Sequence, residues 1–286
     1  MTDVRRRRGS LVDALRSDER LLVLPAALTL LVFFVVPLAM LVGISFSGDT
    51  PLAAYRKFFG SAAAMKILAN TVTIAAVVTL VCAVVAVPFS LALSRLPPAY
   101  ARLALLGVTL PMWISLLVRT YAWLYVLAQE GVTNAALEAV GMPGAPFPLL
   151  FNWGSVTVGM VHILLPYMLL PVHNAVTMLD PQLMRAARSL GAGSLRIFAT
   201  VILPLIARGI ATGAILVFIL SLGFFVTPQM LGGPRNTMIA TYIDVMTNTT
   251  LDWPRAAAAS TVLVLGVLVC FAILSVLSRK QPQAAP

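Results

Sequence analysis

Charge is scarce in this chain. Of its 286 residues 10% are Asp, Glu, Lys or Arg, while 60% are hydrophobic. Apolar content on that scale cannot be buried inside a soluble globule of this length, so a water-soluble enzyme or binding module is excluded and the bilayer becomes the solvent. Cysteine is limited to Cys82 and Cys270, both inside apolar runs where a thiol behaves as a small core residue, and no disulfide or metal spacing can be drawn from them. His162 and His173 are the two histidines, too few for a metal site, and they read as hydrogen-bonded residues between helices. No GxxxxGK[ST] loop, HExxH pair or Gly-x-Ser-x-Gly elbow is present, so the chain carries no visible ATPase or hydrolase machinery and no cofactor is expected. Uphill transport by such a chain draws its energy from elsewhere.

What the sequence does contain is six long apolar runs: roughly Leu21 to Phe46, Ile67 to Leu93, Leu103 to Leu127, Ser155 to Val176, Ala207 to Met230 and Ala256 to Leu277. A helix needs about 20 apolar residues to cross the hydrocarbon core, and these runs are too long and continuous for barrel strands. The expected fold is therefore all-α, a polytopic membrane protein with six transmembrane helices. The first run follows Arg5, Arg6, Arg7 and Arg8 like a signal peptide, but it is longer than a cleavable apolar region and reads as a retained anchor.

Lys and Arg in short loops are held on the cytoplasmic side. One set of gaps carries Arg5 to Arg8, Arg16, Arg20, Arg95, Arg102, Arg185, Arg188, Arg196, Arg208, Arg279 and Lys280, the other only Arg56, Lys57, Lys66, Arg235 and Arg255. Both termini are thus expected in the cytoplasm, with outer loops near 47–66, 128–154 and 231–255. The net charge of +10 is then explained by topology and attraction to anionic lipid, and nucleic acid is not an expected partner. The expected organisation is a basic segment over 1–20, a transmembrane domain over 21–278 and a tail over 279–286. We find no internal repeat.

The gap between the fourth and fifth runs has its own signals. Asp180-Pro181 is a helix start, an N-cap followed by Pro at the first helical position. Leu183, Met184, Ala187 and Leu190 recur at three- and four-residue spacing and predict one apolar stripe on a short helix. Gly191 and Gly193 can end that helix, and Ser194 can cap a second one through Ile197, Phe198 and Val201 towards Pro204. Two readings stand: an amphipathic helix at the lipid surface, or a helical knob that enters a groove on a cytosolic partner, with small Ala186 and Ala187 allowing close approach.

Arg185-Ala186-Ala187, three residues, Gly191, nine residues and then Val201-Ile202-Leu203-Pro204 resemble the EAA loop of binding-protein-dependent ABC importer permeases. In that family the loop, here about 178–206, is the coupling helix that docks on the ATPase; the resemblance implies that role for Arg185, Ala186, Ala187, Leu190, Gly191, Leu203 and Pro204. The chain departs from the family at Arg185, where Glu is usual, so a Glu-based ion pair does not carry over. Pro111-Met112-Trp113-Ile114-Ser115-Leu116-Leu117-Val118-Arg119-Thr120-Tyr121-Ala122-Trp123 and Thr227-Pro228-Gln229-Met230-Leu231-Gly232-Gly233-Pro234 resemble segments of the spermidine/putrescine (PotB-like) permease subfamily. The resemblance implies a non-catalytic subunit of the bacterial inner membrane. It also implies as partners a second homologous permease, two cytosolic ATP-binding subunits and a periplasmic solute-binding protein, with a polyamine or similar small polar organic solute as cargo. A stand-alone ion-coupled transporter or channel is the alternative; it would be favoured by paired intramembrane acids and inverted repeats, and neither is evident.

Arg119 is costly inside a span unless it snorkels, pairs or faces water. On a continuous helix at about 100° per residue, Ser115, Arg119, Trp123 and Glu130 fall within about 80° of one another. That face, with Tyr121, can line the solute path, and Glu130 is the acid expected to hold Arg119; alternatively Tyr121, Trp123 and Tyr125 form an interfacial aromatic belt. Glu138, Asp244 and Asp252 in outer loops are further acids able to meet a cation, or plain solvated charges, and Asp244 joins the candidate pathway. Pro88, Pro111, Pro166, Pro171 and Pro228 mark expected kinks.

Overall fold

A computed structural model describes residues 19–47 and 50–279. The arginine-rich start and the tail from 280 lie outside the described residues. The helices are α1 (Pro25–Ser45), α2 (Ala53–Phe59), α3 (Ala62–Leu93), α4 (Pro98–Thr109), α5 (Leu116–Val126), α6 (Val132–Ala139), α7 (Trp153–Thr177), α8 (Pro181–Ser189), α9 (Ser194–Leu222), α10 (Val226–Leu231), α11 (Ile239–Asp244) and α12 (Trp253–Arg279). Among the described residues there is no strand.

The centre is a three-helix bundle of α3, α7 and α9, with α12 packed against α1 and α2 beside it. Buried Ile74, Val78, Cys82 and Ala86 repeat every fourth residue on α3, as Val156, Met160, Leu164, Met168 and Val172 do on α7. Four-residue rows are the ridges by which helices interlock. Between helices in lipid, area removed from water supplies no drive, so close packing and interhelical hydrogen bonds must hold the bundle. On α9 the packing row runs through Gly209 and Gly213. A Cβ at Gly209 would lie 2.6 Å from Ala175 Cβ and 2.7 Å from the Pro171 carbonyl oxygen, and one at Gly213 would lie 2.7 Å from Met168 Sδ. The α9 backbone therefore rests directly on α7.

Polar stitches tie the outer segments to this bundle. Asn70 Nδ2 donates to the Thr237 carbonyl at 3.0 Å, and the Thr71 hydroxyl accepts the Ile239 N–H at 2.8 Å while donating to the Ile67 carbonyl. Thr71 and Ile239 are fully buried, so Thr71→Val keeps the shape but orphans an N–H. We expect a loss of about 1–3 kcal/mol, read as a lower thermal midpoint in detergent, with Thr71→Ser close to wild type. Asn134 does similar work beyond α5, donating to the Ala128 and Phe147 carbonyls and accepting the Phe147 N–H at 2.9 Å.

Three sequence expectations are corrected here. The third run is not one continuous helix: α4 passes through a 3-10 turn (Leu110–Trp113), the backbone becomes extended at Ile114 and Ser115, and α5 departs at 104° to α4. Pro111 opens the weakened turn, and extended ψ values at the next residues release the chain from the helical ladder. The fifth run neither starts at Ala207 nor reaches Met230. α9 begins at Ser194 and runs through a π segment (Phe198–Ile202) to Leu222, after which Gly223 breaks it and α10 forms separately. Ser194 is not a cap, because Gly193 holds the N-cap position and no side chain bonds there.

Candidate functional site: a capped short helix and a cleft at the opposite end

At one end of the bundle, α8 is set by local chemistry. Asp180 Oδ1 accepts the Gln182 N–H at 2.8 Å and Pro181 occupies the first helical position. The helix ends at Ser189 with Leu190 as its C-cap, and Gly191 turns the chain with φ +80°, a conformation strained for any residue with a side chain. Arg185 and Ala186 are exposed, as are Leu203 and Pro204 on the first turn after the π segment.

The expected single apolar stripe divides in two. Met184 and Ala187 pack against the chain's own core, together with Leu179, Ala192 and Phe198. Leu183 and Leu190 stay outside at 46% and 87% exposure. They lie seven residues apart, on one shoulder of the helix. Ala187 thus seats α8 on the bundle, and the outward apolar pair is what a partner would meet. Helical spacing alone cannot separate these two jobs, because both pairs share one apolar arc.

The two subfamily-like segments, more than a hundred residues apart in sequence, come together at the other end. The first spans the break at Ile114 and Ser115, the second follows the break at Gly223, and α5 packs on α10. The buried Thr120 and Thr227 hydroxyls meet at 3.2 Å, Thr120 also donating to the Leu116 carbonyl. The Ser155 hydroxyl of α7 reaches the Leu231 carbonyl at 2.9 Å and so anchors α10. Sequence reasoning alone does not single out Thr120 and Thr227, although both lie within or at the edge of the recognised segments.

Under α5 is a cleft of 340 Å³ lined by Pro111, Ile114, Val118, Arg119, Ala122, Trp123, Val126 and His162. Trp123 Nε1 donates to His162 Nδ1 at 3.1 Å, with the rings edge to face. The expected Arg119–Glu130 pair is not formed. α5 ends at Val126, so the helical phase linking the two residues is lost, and Glu130 sits exposed in the following turn. Arg119 Nε is buried without a hydrogen-bond partner. Ser115 and Tyr121 are exposed, Ser115 at the N-cap position without making a capping bond. His162 meets the expectation of an interhelical hydrogen bond, whereas His173 Nδ1 is buried with none.

Asp244 lies in a second cleft, of 360 Å³, with Phe225, Ala240, Ile243, Thr247 and Asn248. Asn248 Nδ2 donates to Asp244 Oδ1 at 2.7 Å, which holds the carboxylate in place. Asp252 is committed elsewhere: it caps α12 at the Arg255 N–H and pairs with the Arg255 guanidinium at 3.1 Å. Burial pushes the nearby Tyr242 phenol above its ordinary pKa, with Arg255 pulling the other way. Among the described residues no group of His, Cys, Asp and Glu could hold a metal ion.

Residues 86–281 match the family model of binding-protein-dependent transport system inner membrane components. The chain is 34% identical over 206 residues to the spermidine/putrescine transport system permease protein PotB of Escherichia coli K12, covering 71% of this chain and 75% of that one. It is 34% identical over 205 residues to PotB of Haemophilus influenzae, covering 72% and 70%. Among solved structures it resembles a chain of a bacterial ABC transporter that imports the acidic polysaccharide alginate, with TM-score 0.76, 20% identity and coverage of 96% and 100%. A chain of an alginate ABC transporter in complex with an alginate pentasaccharide-bound periplasmic protein gives TM-score 0.78 at 20% identity, covering 96% and 99%.

Proposed function

This chain belongs to the binding-protein-dependent transport system inner membrane components, the permease subunits of ABC importers, and we propose that its cargo is a polyamine of the spermidine/putrescine type or a similar small polar organic solute. As a permease subunit of the inner membrane it is non-catalytic; ATP is hydrolysed by a separate subunit. In our reading it pairs with a second, homologous permease and two cytosolic ATP-binding subunits, receives solute from a periplasmic binding protein, and has both termini in the cytoplasm.

The observation that carries the coupling role is α8: a capped helix, held to the bundle by Met184 and Ala187, that leaves Leu183 and Leu190 uncovered. A polar, bundle-seated helix with an uncovered apolar pair fits a protein groove better than a lipid surface. Closure of the ATPases would move α8, and because the next helix runs unbroken from Ser194 to Leu222, that movement passes into the membrane-spanning bundle. For the cargo, the support is the naming of the PotB relatives together with the Asp244 cleft, where a fixed carboxylate stands beside the aromatic Phe225 and suits an ammonium group.

Two measurements test this. Val140 is 84% exposed, and a cysteine there should react with a membrane-impermeant maleimide from the periplasm, while one at Gln182 should not; labelling at Gln182 would overturn the orientation and with it the coupling role. In proteoliposomes containing the whole importer, Asp244→Asn should raise the KM for polyamine uptake by about tenfold, as expected for loss of one partly screened ion pair. Uptake that persists without ATP would favour the ion-coupled alternative.

A further inference from the structure

The cleft under α5 is suited to an anion, and none is supplied among the described residues. Arg119 Nε is buried and unpartnered, and among the described residues no carboxylate pairs with Arg119. Glu130 and Glu138 are exposed beyond the end of α5, Asp244 is held by Asn248, and Asp252 pairs with Arg255. On the cleft's other wall Trp123 Nε1 donates to His162 Nδ1, which uses the imidazole's acceptor and leaves the ring proton on Nε2. Neither an indole nor a guanidinium has an acceptor of its own. The polar side chains of the cleft therefore offer donors only, among apolar Pro111, Ile114, Val118, Ala122 and Val126.

A guanidinium in such a setting is costly until a counter-charge reaches it. The cargo class proposed above cannot provide one, because a polyamine is itself cationic. Its surroundings also lack the character of a water-filled path: Val118 of the lining is largely uncovered, as are Trp113 and Tyr121, the chain neighbours of Ile114 and Ala122, with Trp113 92% exposed. Uncovered apolar and aromatic side chains around one half-buried cation are the make-up of a protein interface with a central ionic contact.

We propose that Arg119 receives an Asp or Glu carboxylate carried at membrane depth by the second permease subunit, so that the Arg119–Trp123–His162 cleft is part of the permease–permease interface. This rests on the reading that the chain works as one of two permeases. It also explains how a cationic solute can pass: the guanidinium is neutralised by the partner before cargo arrives.

The test is co-expression with the second permease, one of the two tagged. Arg119→Met and Arg119→Glu should lower recovery of the partner by about tenfold or more, the usual scale for orphaning one member of a buried charge pair, while Arg119→Lys should retain most of it. The separately purified chain should unfold at an unchanged or higher temperature with Arg119→Met, since no hydrogen bond or ion pair of Arg119 within the described residues is lost. Arg119→Glu should be rescued when one membrane-embedded acid of the second permease is replaced by Arg. Unchanged recovery with Arg119→Met and Arg119→Glu would overturn the proposal, as would the absence of any rescuing acid. So would an intact Arg119→Met complex that had lost import only of carboxylate-bearing solutes, because the counter-charge would then belong to the cargo. If the wild-type chain recovers no second permease, the two-permease reading itself falls, a result distinct from wild-type assembly that ignores Arg119.

Discussion

Replacing Leu190 by Asp should reduce capture of the cytosolic ATPase by about 100-fold or more and abolish solute-stimulated ATP hydrolysis, with the permease still folded. Leu190 is 87% exposed at the end of α8, so the isolated chain loses nothing when it is changed. In the assembly, a Leu side chain moved from water into a protein groove is worth about 1.5–3 kcal/mol. A carboxylate left there unpaired adds a desolvation penalty of several kcal/mol, and each 1.4 kcal/mol is about tenfold in affinity. Ala187→Glu should fail differently. Ala187 packs on the chain's own core beside Met184, so that change should lift α8 from the bundle and lower the thermal midpoint of the permease before any ATPase is added. Co-purification of the ATPase together with thermal unfolding of each variant separates the two cases. Wild-type recovery and wild-type stimulation with Leu190→Asp would mean that α8 is not the docking element.

Gly209→Ala should cost about 3 kcal/mol, at the upper end of what overpacking a close-packed core produces. The added methyl would lie 2.6 Å from Ala175 Cβ and 2.7 Å from the Pro171 carbonyl oxygen. Neither atom can be moved by a side-chain rotation, so α9 would have to move away from α7. Gly213 one turn on faces Met168, part of whose contact is a flexible thioether, and Gly213→Ala should be milder. Gly107 and Gly266 have nothing within 4 Å of an added Cβ, and Ala at either should leave the isolated chain unchanged or slightly more stable, through better helix propensity. Thermal unfolding in detergent ranks the four, and a Gly209→Ala midpoint equal to wild type would show that α7 and α9 are not locked by backbone contact.

Much of this architecture is legible in the order of the residues. Length and continuity of the apolar runs mark spans close to α3, α7 and α12, because a lipid-facing and a core-facing residue are both apolar and a run of about 20 can do little else. The segment around α8 is legible for a different reason. It is too short and polar to span a bilayer, so its polar and apolar residues separate, and Asp180, Pro181 and Gly191 carry specific backbone chemistry. The face of each span is hidden by the same uniformity. The fourfold repeat of Ile74, Val78, Cys82 and Ala86 has no polar opposite side to set it off, and the Gly209–Gly213 contact shows only once the backbones are seen touching.

The sequence by itself determined the class, the helix-only architecture, the Asp180-Pro181 start of α8, and the segments that resemble a known permease subfamily. Each follows from local composition or from one residue's own conformational limits. The tertiary structure decided the rest. It bent the third run at Ile114 and Ser115 and cut the fifth at Gly223, and so joined Thr120 to Thr227. It left Arg119 without the Glu130 that helical phase alone had placed beside it, and it turned Ala187 inward while leaving Leu190 out. The physical reason is common to all four: a helix's phase is information only while the helix continues, and where it breaks, and which side then meets a neighbour, depends on residues far away in the chain.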